Sequence, residues 1–263
     1  MYTAVYFACA DDGIGKFDRS MLSQQDLMEL FIFGLNKPEN ICGSLDDPDD
    51  VCEWTGVKCN ADKEVENFRW LMKRQEGTGT LSLAFLPYTM KKATMVDNAL
   101  SGTIQLADLP ESMEELLLIQ NKLSGSFCLD SLPGAMRKLY LSKNNFTGRI
   151  SLKKLPEELE SLVVSENRLT GTVCLTALPP AFYRISLSKN NFEGTLDFTR
   201  LPHSMKVFYA YSNRFSGTID LGHLPGNLTH LWVGENNLSG TVRVPAGCTC
   251  MLDGNEELIV EHI

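Results

Sequence analysis

Hydrophobic and polar positions recur in this chain every 23 residues between residues 86 and 246, so one pattern occurs seven times. Each block opens with Leu-Pro, has apolar residues at places 5, 8, 10, 15, 19 and 21, and carries Asn at place 13 and Gly at place 17. Polar and apolar side chains alternate within residues 137–142, which predicts one short β-strand per block. A unit of this size cannot bury its apolar side alone, so the pattern predicts stacked coils.

The repeated Asn follows the predicted strand, where the chain turns and buried backbone groups need hydrogen-bond partners. Because a carboxamide supplies both a donor and an acceptor, we expect a ladder of stacked side chains, each costing about 1–3 kcal/mol to remove. Gly at place 17 indicates backbone angles or a close approach that a side chain would prevent. The predicted ladder residues are Asn98, Asn121, Asn144, Asn167, Asn190, Asn213 and Asn236.

A different pattern precedes the repeats. Residues 20–35 carry an apolar stripe that includes Phe31 and Phe33, with Ser20 or Ser23 as the N-cap, and this predicts a helix. An acidic loop then leads to Cys-Glu-Trp-Thr-Gly-Val-Lys-Cys at residues 52–59. This C-x-W-x-G-V-x-C motif, placed before a Leu- and Asn-rich repeat, resembles the N-terminal cap of plant-type leucine-rich repeat proteins; similar repeats occur in protozoan proteins.

The resemblance implies a leucine-rich repeat solenoid, a right-handed superhelix with a parallel concave β-sheet, an irregular or short-strand convex side and a helical N-terminal cap. It also implies that Cys52 and Cys59 form a disulfide and that a Trp packs beneath the cap helix. From the residues alone, a zinc site that adds Cys9 and Cys42 stays open as an alternative. The repeat is one residue shorter than is usual in plant-type proteins, and the family's second strand would fall at Gly-Thr-Ile-x-Leu.

One elongated domain with caps is the organisation that these patterns predict. Residues 256–260 mimic residues 114–118 of the second block, so we expect them to form the last strand of the concave sheet. The predicted parts are an N-terminal arm of unknown structure (1–19), a helical cap (20–62), a degenerate first coil (63–85), the seven repeats (86–246) and a C-terminal cap (247–263).

Composition and motifs exclude several functions. The net charge is −9, from 24 Lys and Arg against 33 Asp and Glu, which argues against nucleic-acid or anionic-membrane partners. No apolar run reaches the roughly 18 residues of a membrane helix, so we predict no membrane insertion. The four His residues fall at unrelated places of the repeat, without a nucleophile beside them and without metal-ligand or phosphate-loop spacing. We therefore predict no enzymatic activity, no cofactor and no metal.

Paired charges at places 6 and 7 could suggest a glycosidase, but their sign alternates between neighbouring blocks. Lys91 and Lys92 are followed one block later by Glu114 and Glu115. Opposite charges on adjacent strands favour pairing, so we interpret them as cross-strand ion pairs.

Place 9 lies at the centre of the exposed strand face, and the architecture alone does not explain its residues. Large apolar and aromatic side chains there and at place 11 indicate a recognition surface, because Tyr and Trp give contact area at a small entropic cost. The alternative is that aromatic residues suit strands and stack on one another. The predicted partner-binding residues are Leu117, Tyr140, Val163, Tyr209, Tyr211 and Trp232.

These observations predict a non-enzymatic protein–protein interaction scaffold, a subunit or adaptor of a larger assembly that binds one or more proteins. The alternative is a secreted or surface recognition module of the receptor-ectodomain or inhibitor type. Cys128 and Cys174 lie two coils apart, about 9–10 Å, too far to bond. These unpaired thiols and the weak signal-peptide pattern in residues 1–19 favour an intracellular location. A cap disulfide, or sugars on the sequons at Asn145 and Asn227, would favour the extracellular alternative.

Overall fold

Each 23-residue block forms one coil of a parallel β-solenoid, and the coils stack through the apolar places of the repeat. The computed structural model describes residues 21–261, apart from the side chains of residues 75 and 76. The predicted arm, residues 1–19, lies outside this range. The helices are α1 (Gln24–Ile32) and α2 (Glu39–Cys42), with short 3-10 helices at Val51–Glu53, Leu83–Phe85 and Leu106–Asp108.

The concave sheet takes one short strand from each coil, and its register keeps place 9 of one block opposite place 9 of the next. The central residue of each strand points inward and is fully buried in the repeats, as Leu139 and Ile185 are. An antiparallel strand, β1 (Val57–Cys59), closes the N-terminal edge against β2 (Val65–Thr80). With strands numbered in chain order, the parallel members are β2 (Val65–Thr80), β3 (Lys92–Gly102), β4 (Glu115–Leu117), β6 (Lys138–Tyr140), β8 (Ser161–Val163), β10 (Arg184–Ser186), β12 (Val207–Tyr209), β14 (His230–Trp232) and β16 (Thr249–Met251).

A second set of parallel strands follows the Asn of each coil, and the ends of β2 and β3 join it. These strands begin several residues before the predicted Gly-Thr-Ile-x-Leu segment. In four of the repeat coils they end at the place-17 Gly, whose φ is positive, for example 85° at Gly194. The strands are β5 (Lys122–Gly125), β7 (Asn145–Arg149), β9 (Arg168–Gly171), β11 (Asn191–Gly194), β13 (Arg214–Thr218), β15 (Asn237–Arg243) and β17 (Glu257–Glu261).

The C-terminal strand prediction was wrong. Residues 256–260 were expected in the concave sheet, but β17 pairs with β15 in the second set, and β16 is the concave edge strand. The reason is Asn255, whose Nδ2 donates to the carbonyl of Val233 at 3.1 Å and whose Oδ1 accepts from the Leu238 N–H at 3.0 Å. These are ladder bonds, so the residues after Asn255 enter the second set, as they do in every other coil.

The side chains of the predicted Asn ladder form one row through the core. Asn144, for example, donates from Nδ2 to the carbonyl of Leu118 in the preceding coil at 2.8 Å and to Leu141 in its own coil at 3.1 Å. Its Oδ1 accepts from the N–H of Leu123 at 3.1 Å. The residue before each of the seven Asn residues has a positive φ of 53° to 59°, although none is Gly. The ladder bonds therefore hold a backbone conformation that costs about 1–2 kcal/mol per residue.

The cap helix begins at a capping box, which confirms the helix prediction with Ser23 as the N-cap. Ser23 Oγ accepts from the Asp26 N–H at 3.1 Å, and the Asp26 carboxylate accepts from the Ser23 N–H at 3.0 Å. The buried face is formed by Leu27, Met28, Phe31 and Ile32. Phe33 was placed in this stripe wrongly: it is 80% exposed, because a 3.6-residue turn puts it nearly opposite the centre of that face.

The disulfide that the family resemblance implies is present between Cys52 and Cys59, whose Cα atoms are 5.6 Å apart. Both thiols are therefore unavailable to the zinc site left open by the sequence. Trp54, between the two cysteines, is 3% exposed and donates from Nε1 to the carbonyl of Asp49 at 2.8 Å. The cap thus closes one end of the hydrophobic core. None of the helices in residues 21–261 has the length and apolar character that crossing a bilayer requires.

Candidate interaction surface on the concave sheet

Strand pairing places the predicted partner-binding residues of place 9 in one row across the concave sheet, with Tyr211 of place 11 beside it. One short side chain interrupts the bulky ones, since Ser186 lies between Val163 and Tyr209. The row extends beyond the repeats to Met251, which pairs with Trp232 and is 46% exposed. In order, the place-9 row reads Thr94, Leu117, Tyr140, Val163, Ser186, Tyr209, Trp232 and Met251.

An aromatic cluster lies at the C-terminal end of this row. Tyr209 stacks on Trp232, with ring centroids 4.3 Å apart and an interplanar angle of 21°. Tyr211 and His230 meet the same indole edge-to-face at 6.2 Å and 6.3 Å. The aromatic residues therefore do stack on one another, as the alternative to a recognition surface proposed, yet all four side chains remain partly exposed. Mutual stacking fixes the rings in place and leaves apolar area facing the concave side.

Val163 is only 8% exposed, which is too little for its predicted role as a contact residue. Tyr140 accounts for this: its hydroxyl accepts a hydrogen bond from Ser161 Oγ at 3.1 Å, so the Tyr140 ring leans across β8. Tyr183 lies near the same ring, and burial raises the pKa of its hydroxyl. The middle of the row is therefore covered by its neighbours, whereas Leu117 is half-buried.

Charges in the first four repeats neutralise one another, which confirms the cross-strand pairing expected from the sequence. The Glu115 carboxylate lies between Lys92 at 3.1 Å and Lys138 at 3.2 Å. Burial acts to raise the pKa of Glu115, but the hydrogen bonds from the two lysines outweigh it and leave that pKa below its usual value. Two further pairs join neighbouring coils, Lys91 with Glu66 at 2.6 Å and Arg137 with Glu160.

Among the last three repeats, the fifth and sixth carry cations on the concave side that have no such partners, and sequence reasoning missed them. Within residues 21–261, Arg184 and Lys206 have no carboxylate within 4.0 Å. Three buried polar atoms in these repeats also have no hydrogen-bond partner among the described residues: Arg184 Nε, Ser188 Oγ and Trp232 Nε1. The sequence contains the signal for these cations, because no acidic residue occurs at places 6 and 7 of any block after Glu160.

This surface offers rings, hydroxyl groups and cations, which suit the binding of another chain. In the part of the chain that the structure describes, no three His, Cys, Asp or Glu side chains come together to hold a metal ion.

No family model and no curated protein matches this chain, but solved structures do. The LRR ectodomain of the plant membrane receptor kinase GASSHO1/SCHENGEN3 from Arabidopsis thaliana, in complex with CASPARIAN STRIP INTEGRITY FACTOR 2, superposes on 88% of this chain and 35% of its own, with a TM-score of 0.54 and 16% identity. The fold is that of a leucine-rich repeat solenoid.

Two other structures share more of the sequence with this leucine-rich repeat chain. The PEPR1–AtPEP1 complex matches with a TM-score of 0.63 and 25% identity over 84% of this chain and 32% of that one. The plant peptide hormone receptor RGFR1, in complex with RGF2, matches with a TM-score of 0.56 and 25% identity over 64% and 30%. This leucine-rich repeat chain therefore spans about a third of the length of these relatives.

Proposed function

We propose that this protein is an extracellular recognition module that binds a protein or peptide on the C-terminal half of its concave sheet. The observation that carries the proposal is the aromatic cluster of Tyr209, Tyr211, His230 and Trp232, which is fixed by stacking and still partly exposed. Tyr and Trp are enriched among the residues that dominate binding energy at interfaces. Of the other predicted contact residues, Tyr140 and Leu117 extend the surface toward the N-terminal half, and Val163 lies in the same row between Tyr140 and Ser186 but is buried.

The solved structures support a recognition module over the adaptor or subunit favoured by the sequence. RGFR1 is a peptide hormone receptor in complex with RGF2, and the structure of PEPR1 is that of a complex with AtPEP1. Those ligands belong to those proteins, and specificity resides in side chains that differ between members of a fold. What we transfer is the class of function, a partner bound on a leucine-rich repeat solenoid.

An oxidising compartment agrees with the cap disulfide between Cys52 and Cys59. The intracellular location favoured by the sequence has no support from the fold or its relatives. Mass spectrometry of native material tests the compartment. We expect an intact Cys52–Cys59 bond and a sugar on Asn227, which lies exposed in a turn. Reduced cap cysteines together with an unmodified Asn227 would contradict an extracellular location.

Affinity capture with matched variants tests the binding site. We would compare the protein with Trp232→Leu/Tyr209→Ala and with Tyr88→Ala, which removes a 51%-exposed aromatic ring outside the place-9 row. Native extracellular fluid is the source of partners, and circular dichroism checks the fold of each variant. We expect the Tyr88 variant to retain the captured proteins and the concave double variant to lose them. Equal capture by all three folded proteins would refute the concave site.

A further inference from the structure

We propose that the partner segment lying over the fifth to seventh repeats is an extended acidic peptide, with a carboxylate bound to Arg184. This inference rests on the proposed function and names the chemistry of its partner. It follows from two independent features of the concave side: where charges are left unpaired, and where hydrogen-bond donors are left without acceptors.

Charge pairing changes abruptly along the sheet. Lys92 and Lys138 share Glu115, Lys91 pairs with Glu66, and Arg137 pairs with Glu160. Every cation at places 6 and 7 of the first repeats therefore has an acidic partner. Arg184 pairs in the sheet with Ser161 on one side and Val207 on the other, and neither can compensate its charge. The protein as a whole carries −9, so a cationic position on this surface is an exception that favours one kind of partner.

The nearby acidic groups do not cancel this charge. Glu160, one coil before Arg184, is engaged by Arg137. Glu235, at the other end of the patch, accepts a hydrogen bond from Ser212 Oγ. A carboxylate brought by a partner would therefore meet Arg184 without competition from these two side chains.

The unpartnered atoms in this region require acceptors. Arg184 Nε and Trp232 Nε1 can only donate, and Ser188, which is 1% exposed, has a hydroxyl able to donate. A buried donor without an acceptor costs about 1–3 kcal/mol, so a partner that supplies acceptors gains affinity. Peptide carbonyls and carboxylates are such acceptors. Arg184 and Trp232 are partly exposed and meet them once their side chains turn toward the partner, whereas Ser188 is too deeply buried to contact it.

The spacing of the donors fits an extended chain better than a small anion. Trp232 lies two coils away from Arg184, about 10 Å across the sheet, and two residues farther along the strand direction, about 7 Å. One phosphate or sulfate ion cannot span these distances, whereas four or five residues of extended peptide can. The stacked rings of Tyr209 and Trp232 would supply apolar contact between the polar anchors.

Selection from a display library of random 12-residue peptides tests this inference, because the natural partner need not be identified first. The intact protein is the bait, and selected peptides are resynthesised and titrated by fluorescence anisotropy. We expect enrichment of Asp and Glu, and a Kd that rises about 10- to 100-fold in Arg184→Gln, as for loss of a charge-assisted hydrogen bond. Arg184→Lys should recover part of the affinity. The control is Arg168→Gln, which changes an exposed arginine of the second strand set and should leave the Kd unchanged.

The outcomes separate this inference from the proposed function. Selected peptides that show no acidic enrichment but lose binding in Trp232→Leu would overturn the acidic partner and leave the concave site standing. Equal affinity of the wild type and folded Arg184→Gln for acidic peptides would overturn the role of Arg184. Failure to select any peptide whose binding depends on either side chain would overturn both proposals.

Discussion

Replacing Asn190 by Ala should destabilise the solenoid far more than replacing its neighbour Asn191. The Asn190 Nδ2 donates to the carbonyls of Val164 and Leu187, both at 3.0 Å, and its Oδ1 accepts from the N–H of Leu169 at 3.0 Å. Asn191 is half-buried on the second strand set, and its side chain accepts only from an exposed arginine at 3.3 Å. The two substitutions remove the same atoms from adjacent positions of the chain.

The expected loss of unfolding free energy depends on which backbone groups are left without any hydrogen-bond partner. The carbonyl of Val164 keeps Asn167 as a donor and that of Leu187 keeps Asn213, so neither is orphaned in Asn190→Ala. The N–H of Leu169 has a single hydrogen and loses its acceptor, at about 1–3 kcal/mol. The bonds lost to these two carbonyls, and to that of Ser188 at 3.2 Å, which keeps the Glu166 N–H as a donor, add roughly 1 kcal/mol. We therefore expect a loss of about 2–4 kcal/mol for Asn190→Ala and less than about 1 kcal/mol for Asn191→Ala.

Urea denaturation at pH 7 measures both free energies of unfolding, and amide hydrogen exchange reports on Leu169 directly. The Leu169 amide should be protected in the wild type and in Asn191→Ala, and should exchange faster in Asn190→Ala. Equal stability losses in the two variants, or an unchanged Leu169 amide, would show that the carboxamide row does not hold the coils together.

Two further predictions concern the repeat glycines and the paired charges. Gly194→Ala should cost at least about 1–2 kcal/mol of stability, because φ is +85° and the new Cβ would lie 2.7 Å from Thr172 Cγ2. The control Gly134→Ala, with open space around it, should be nearly neutral in the same urea experiment. Equal effects of the two substitutions would refute the reasoning. Glu115 has a depressed pKa in the folded state, so its stabilisation is present above its unfolded pKa and is lost as the pH falls through the folded one. The gap in stability between the wild type and Glu115→Gln should be about 1 kcal/mol at pH 7 and should close as the pH falls through the folded pKa of Glu115. The exposed control Glu157→Gln should show no gap in thermal melts over the same pH range.

The repeat made the stacking predictable, because each coil contacts only its neighbours and the same apolar places recur. The same regularity explains what was missed. Asn255 follows Asn236 by 19 residues (255 − 236), so a search at a fixed spacing of 23 passes over it and misplaces β17. Exposure of Val163 depends on the direction in which Tyr140 leans, which no period encodes. The unpaired Arg184 could have been found by continuing the charge comparison through all seven blocks.

The uniform register also makes the length of this surface adjustable in whole steps. Removing or duplicating one complete 23-residue block would leave every remaining strand, carboxamide and glycine aligned with its counterpart. Only the separation between distant side chains would change, by about 4.8 Å per block. Tyr140 and Trp232, now four coils apart, could thus be brought closer together or moved farther apart in fixed steps. Deleting or duplicating blocks would therefore fit the same solenoid to ligands of different lengths, by evolution or by protein engineering.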